Sequence, residues 1–241
     1  MEEHVKMRII KVSWFIFVLA ASPLNADVHQ FCIHHIHEVN DKLPADLSGN
    51  TVLAPDWDRT ISEENGTYAT REPDVHTGTI ATLTSILSRK AKDGVIGAIV
   101  ITARAAVEEG VNQSVERMMG VLERAKWSQH GALKFDPEKS AEIKIAGPIK
   151  PGAIAIAKNN IVFVGQENKA RVFQTLIMQK SFKQDKISNV IVVDDKQDNI
   201  AAWVTGFSKR PEKVYLFYYP KSDLTPAEIA RGEKPDVACP N

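Results

Sequence analysis

Apolar positions along this chain recur at two spacings, and segments of the two kinds alternate. Residues 27–42 carry Val28, Phe31, Cys32, Ile36 and Val39 at helical steps and predict a helix. Pro44 and Gly49 mark a connector, after which residues 51–54 form a short apolar strand running into Pro55-Asp56-Trp57-Asp58. The polar stretch 62–78, with Gly66, Pro73 and Gly78, predicts a loop or hairpin. Ile80, Leu83, Ile86 and Leu87 mark a helical face that stops at Asp93-Gly94. Residues 95–102 are rich in β-branched side chains and carry no charge, as expected of a buried strand. From Val107 through Val111, Val115, Met118, Met119 and Leu122 to Ala125 the spacing predicts a long amphipathic helix, its methionines core filling. Residues 153–157 and 161–164 flank Lys158-Asn159-Asn160 as a hairpin. A helix over 168–180, a buried strand over 190–193, a short helix through Ile200, Trp203 and Val204, and a strand over 214–218 complete the regular part. Thr225-Pro226 predicts a last short helix, with Thr as cap and Pro in the first turn. Strands alternating with helices, without an internal repeat, predict an α/β fold with a mostly parallel sheet.

The first 26 residues stand outside this pattern. Lys6, Arg8 and Lys11 precede an uncharged apolar run over 12–21, Pro23 breaks it, and Ala26 offers a small residue before Asp27. That is the layout of a secretory signal, and the run falls short of the ~20 residues that span a bilayer. The expectation is an exported chain, periplasmic or secreted, cut after Ala26 and without a membrane span thereafter. Residues 27–241 then form one domain, with an insertion at about 103–161. The full chain of 241 residues has 30 basic and 30 acidic side chains, and removing the leader leaves a net charge of −1. A phosphate-backbone binder shows a basic excess, so nucleic acid is not an expected partner. Cys32 and Cys239, the two cysteines, are too few for a disulfide-dense scaffold. They lie near the ends of the mature chain and could pair in an oxidising compartment, but their spacing alone does not bring them together. Cys32, His34, His35 and His37 invite a metal reading, yet a helix would send these side chains in different directions.

The chemistry collects where strands end. One strand runs into Asp56-Trp57-Asp58-Arg59-Thr60, the next ends in Thr102, and a later one ends in Asp194-Asp195, with Asp198 and Asn199 following. Parallel sheets bind ligands beyond the carboxyl ends of their strands, so carboxylates would be driven together at one edge. Like charges that close raise each other's pKa, and a divalent cation with oxygen ligands, magnesium above all, relieves them. Lys169, at a helix start, is placed to add positive charge, with Lys158 as the rival lysine. Carboxylates, a hydroxyl, a lysine and a hard cation suit a phosphoryl group. A calcium loop of EF-hand type is excluded, because its sixth position would be Ile61 and its twelfth Thr67.

These residues resemble the four motifs of the haloacid dehalogenase-like (HAD) superfamily, most of whose members are phosphohydrolases. A hydrophobic strand leads into DxDxT (Asp56 to Thr60), a second ends in a hydroxyl (Thr102), a lysine stands near a helix start (Lys169), and a third strand ends in an acidic pair (Asp194-Asp195). The motifs occur in the family's order across residues 51–199, and there is a weaker likeness to a little-characterised exported bacterial branch. The resemblance implies a Rossmann-like three-layer sandwich around a mostly parallel sheet, with a small insertion. It implies Asp56 as nucleophile, Asp58 as acid and base, and Thr102 and Lys169 as phosphoryl ligands. It further implies Asp56, Asp58 (through its carbonyl) and Asp194 around Mg2+, with Asp195, Asp198 or Asn199 orienting that shell. The implied activity is magnesium-dependent phosphoester hydrolysis through an aspartyl-phosphate, on a phosphorylated substrate. Dehalogenases have no need of a second motif aspartate, so Asp58 argues against them. Two positions depart from the pattern: Pro55 precedes the nucleophile, and Arg59 stands where a glycine is common. They keep open an alternative, a HAD-fold binding protein that has lost turnover.

Overall fold

In chain order the elements are β1 (Val28–Cys32), α1 (Glu38–Lys42), β2 (Thr51–Pro55), α2 (Thr77–Leu87), β3 (Ile96–Ala98), β4 (Val100–Thr102), α3 (Glu108–Arg124), a 3-10 turn (Trp127–His130), β5 (Ala141–Ile143), β6 (Ala155–Lys158), β7 (Ile161–Phe163), α4 (Lys169–Met178), β8 (Asn189–Asp194), α5 (Gln197–Phe207) and β9 (Lys213–Tyr218). This computed structural model describes residues 27–62, 75–89, 91–136, 139–145, 154–220 and 239. The expected signal segment, most of the expected 62–78 hairpin and the helix expected after Thr225 lie outside the described residues. No helix among the described residues is long and apolar enough to cross a membrane.

Five parallel strands form a sheet in the order β1-β9-β8-β2-β3, and a four-stranded sheet follows in the order β4-β7-β6-β5. The protein is therefore α/β with a mostly parallel central sheet. The sequence predicts one strand over 95–102, and here the structure differs. Ile99 donates to Leu53 O on β2, and Val100 donates to Asn160 O at the start of β7. The segment thus leaves one neighbour and joins another within a single step, which splits it into β3 and β4. β4 runs parallel to β7, while β7, β6 and β5 are antiparallel. Asn159 and Asn160, at φ 51° and 61°, make the left-handed pair that a tight hairpin between β6 and β7 requires.

Side chains alternate across the central strands into two cores. Leu53, Ile191, Val193 and Phe217 face one core with Leu83 and Ile86 of α2 and Val111, Val115 and Met118 of α3. Val52, Ala54, Val190, Val192 and Leu216 face the other with Val172, Phe173 and Leu176 of α4 and Trp203 and Phe207 of α5. Both faces being covered explains why β2, β8 and β9 read as continuous apolar runs rather than alternating ones. Between β4 and β7, α3 and Trp127 belong to the first core, while Ile143 and Ala155 belong to the second.

The helix expected over 27–42 is a correction. Residues 28–32 are a strand, and only Glu38–Lys42 is helical. Val28, Phe31 and Cys32 fit a helical face, but they also sit on the two sides of an edge strand. Val28 and Cys32 pack against one core, and Phe31 stacks on Phe217 at 5.0 Å beside the other. Pairing with β9, about 185 residues downstream, decides the matter, and local periodicity does not register a partner so distant.

Cys32, at the end of β1, is joined to Cys239 by a disulfide with a sequence separation of 207 residues. The cross-link excludes Cys32 from the metal reading. Closing so long a loop costs the unfolded chain about 5 kcal/mol in the chain-entropy account, the upper end of what disulfides contribute. Cys32→Ser or full reduction should lower the melting temperature by about 10 °C. Thermal unfolding with and without reductant checks this; coincident curves would show that the bond adds nothing to the folded state.

Candidate active site

β2 and β8 are adjacent and in register, with Pro55 opposite Val193. One residue further, Asp56 and Asp194 therefore emerge side by side at the carboxyl edge. Pro55 is tolerated there for a reason of geometry. Asp56 N donates to Val193 O on the β8 side. Donors alternate along a strand, so the nitrogen of Pro55 faces the β3 side, where the β2–β3 pairing has already ended at Leu53 and Ala98. The proline removes a donor from a position where no ladder bond is due.

Lys169 opens α4 behind its cap Asn168, whose side chain accepts from Arg171 N. Its ammonium lies 2.8 Å from Asp56 Oδ2 and 2.7 Å from Asp194 Oδ2, and all three side chains are buried. Asp194 is further held by Lys196 N–H at 2.9 Å and by the amide of Asn199 at 2.9 and 3.1 Å. Trp57 N–H donates to Asp56 Oδ1 at 2.7 Å. Past Asp56 the chain makes a single turn, with Ile61 and Ser62 both donating to Trp57 O. This turn carries Arg59 at φ 61° with its guanidinium Nη1 3.5 Å from Asp195 Oδ2; both side chains are 1 % exposed.

Asp58 faces another way. Arg104 grips its carboxylate from Nη2 at 2.6 Å and from Nε at 3.1 Å, and Thr102 Oγ1 donates to it at 3.0 Å. Thr102 also accepts from Arg104 N. The structure thus brings Asp56, Lys169, Asp194, Asp195 and Asn199 into one cluster, and Asp58 with Thr102 into a second group beside Arg104. Asp198, in the first turn of α5, is exposed. Lys158 is occupied elsewhere, donating to Asn112 Oδ1 at 2.7 Å. The sequence carries little sign of Arg104; its only signal is a position two residues beyond the strand-end hydroxyl.

Carboxylate oxygens of Asp56, Asp194 and Asp195 lie within 4.8 Å of one another, and among the described residues no other cluster of histidine, cysteine or acidic side chains has this spacing. The set fits a hard divalent cation in chemistry, being all oxygen, and in charge. Three buried carboxylates meet two buried cations, Lys169 and Arg59, which leaves a negative excess. For Asp56, burial is the larger influence. Burial pushes its carboxyl well above the usual 3.8, with Lys169 opposing and Asp194, Asp195 and Asp58 adding to the rise. Burial alone would lower the Lys169 ammonium, but Asp194 and Asp56 overcome this and raise it.

No protein-family model, curated protein or solved structure matches this chain.

Because its pKa is raised on folding, Asp56 contributes stability that is fully present below the ordinary carboxylate value near 3.8 and is lost as pH rises through the elevated folded value. With a chelator present, wild type should therefore lose stability relative to Asp56→Asn as the pH climbs from about 4. Urea unfolding of the two proteins at a series of pH values measures the difference. A gain by wild type over the same range would show that Asp56 is stabilised in its ionised form.

Proposed function

We propose that the protein is an exported, magnesium-dependent phosphoester hydrolase of HAD type that works through an aspartyl-phosphate on Asp56. The observation that carries this reading is the meeting of Asp56, Lys169 and Asp194 within hydrogen-bond distance, although they are separated by up to 138 residues in sequence. The strand order β9-β8-β2-β3, continued through β4 to β7, supports it further, because it lines up the carboxyl ends that carry all four motifs. The disulfide is compatible with export.

In this reading Asp56 and Asp194 hold Mg2+, which supplies charge neutralisation and Lewis acidity at the phosphoryl oxygens when bound. An Asp56 oxygen attacks phosphorus, and the bond to the leaving oxygen breaks. Asp58 gives that oxygen a proton, then takes one from the water that attacks phosphorus and releases Asp56. Lys169 faces the nucleophile and balances charge building on the phosphoryl group. Arg104 and Thr102 orient Asp58 at rest. An incoming phosphoryl group competes for both donors, so it draws Arg104 toward itself and frees an Asp58 oxygen, which takes up a proton from water before it serves as the acid.

Arg59 at a left-handed φ and Asp58 held by Arg104 favour the second reading, a HAD-type binding protein without turnover. Hydrolysis of an aryl phosphate with and without Mg2+ separates the two. Catalysis that requires Mg2+ and vanishes in Asp56→Asn is the expected result. Binding of phosphate without hydrolysis would favour the second reading.

Asp58→Asn should slow turnover by about 10²–10⁴-fold, with labelled phosphate trapped on Asp56 when the leaving group is good. Arg104→Ala should raise KM by about tenfold with a smaller effect on kcat, since it loses a charge-assisted contact to the phosphoryl group. Rapid-quench labelling and steady-state kinetics read these effects. Normal hydrolysis by Asp56→Asn would end the covalent mechanism.

A further inference from the structure

Asp195 is the third carboxylate of the cluster, and its surroundings differ from those of the other two. Asp56 and Asp194 share the Lys169 ammonium at 2.8 and 2.7 Å. Asp195 Oδ2 instead lies 3.5 Å from Arg59 Nη1 and 3.5 Å from Lys196 Nζ. Arg59 has a left-handed backbone, at φ 61°, and a fully buried guanidinium. A non-glycine residue seldom accepts that backbone, and a guanidinium is seldom buried without an anion beside it. Both features make sense if the turn after Asp56 is shaped to deliver a positive charge beneath the carboxylates.

We infer that Arg59 is the internal counter-cation of Asp195, so that Asp195 serves as an ion-pair partner rather than a ligand, and a divalent cation is held by Asp56 and Asp194. This rests on the cation-dependent reading above. Its consequence lies in the charge of the pocket. Lys196 is 44 % exposed and screened by water, so the buried groups set the charge of the pocket. Without Arg59, three carboxylates and Lys169 would give a net charge of about −2, and a divalent ion would only neutralise it and be held tightly. With Arg59 the pocket is one unit less negative, so the loaded site carries a net positive charge. The cation is then bound more weakly and exchanges readily, and the excess charge attracts a phosphoryl dianion. Arg59 is a positioning residue in this scheme, acting through Asp195 and through the field of the pocket.

Mg2+ and Mn2+ binding to the purified, disulfide-intact protein, measured by calorimetry without substrate, tests the inference. Arg59→Met should tighten Mg2+ binding by about tenfold or more, because one buried positive charge is gone. The double variant Arg59→Met/Asp195→Asn removes both charges of the pair and should bind Mg2+ within about threefold of wild type. It remains decisive if Arg59→Met alone fails to fold. Asp194→Asn should lose measurable binding. If the double variant binds at least about tenfold more weakly, Asp195 is a ligand and the inference is overturned. Unchanged or weaker binding by a folded Arg59→Met overturns it too. In either case cation binding that still depends on Asp194 leaves the proposed function standing. Wild type that takes up neither ion would overturn both.

Discussion

Everything at the carboxyl edge of the sheet depends on the Lys169 ammonium lying between Asp56 and Asp194. Two carboxylates at the ends of adjacent, in-register strands would repel each other in a site from which water is excluded. A buried cation within 3 Å of both makes the juxtaposition tolerable. Breaking such a contact from one side is severe, about 3–5 kcal/mol, because an unpaired buried charge is left behind. The ammonium does not satisfy the whole cluster: burial raises the pKa of Asp56 despite Lys169, and the neighbouring carboxylates add to the rise. A site with unspent negative charge and strongly positioned oxygens is predisposed to take a divalent cation.

The fold supplies the framework for that charge. Both faces of β2 and β8 are sealed by helices, so the acidic groups lie at the strand ends and not along the strands. The step at Ile99 lets one segment complete the parallel sheet on one side and carry Thr102 toward β7 on the other. Thr102 and Arg104 thereby reach Asp58 from across the edge, while Lys169 reaches Asp56 from α4. The disulfide fastens residue 239 to the end of β1, at the same edge of the sheet. Two charge systems result, one deeply buried around Lys169 and one nearer the surface around Asp58. In the proposed mechanism they divide covalent chemistry from proton transfer.

Most of the regular elements are legible in the sequence, and so are the acidic and hydroxyl residues at the strand ends. Apolar runs at strand spacing predict β2, β8 and β9, because strands buried on both faces need no polar positions. Helical faces likewise predict α2, α3, α4 and α5, and Asn159-Asn160 predicts the hairpin. Acidic and hydroxyl residues at the ends of these runs point to one edge, since parallel strands place all their carboxyl ends together. Only the tertiary structure decided the remainder. β1 is a strand because β9 lies beside it, and the 95–102 segment divides because two different neighbours claim it. Cys32 and Cys239 pair because the fold brings residue 239 to the end of β1. The grip of Arg104 on Asp58, the approach of Arg59 to Asp195 and the separation of Asp198 from the cluster depend on where the chain turns after each strand. Local periodicity records which face of an element is apolar, but it carries no information about which distant side chain arrives against it.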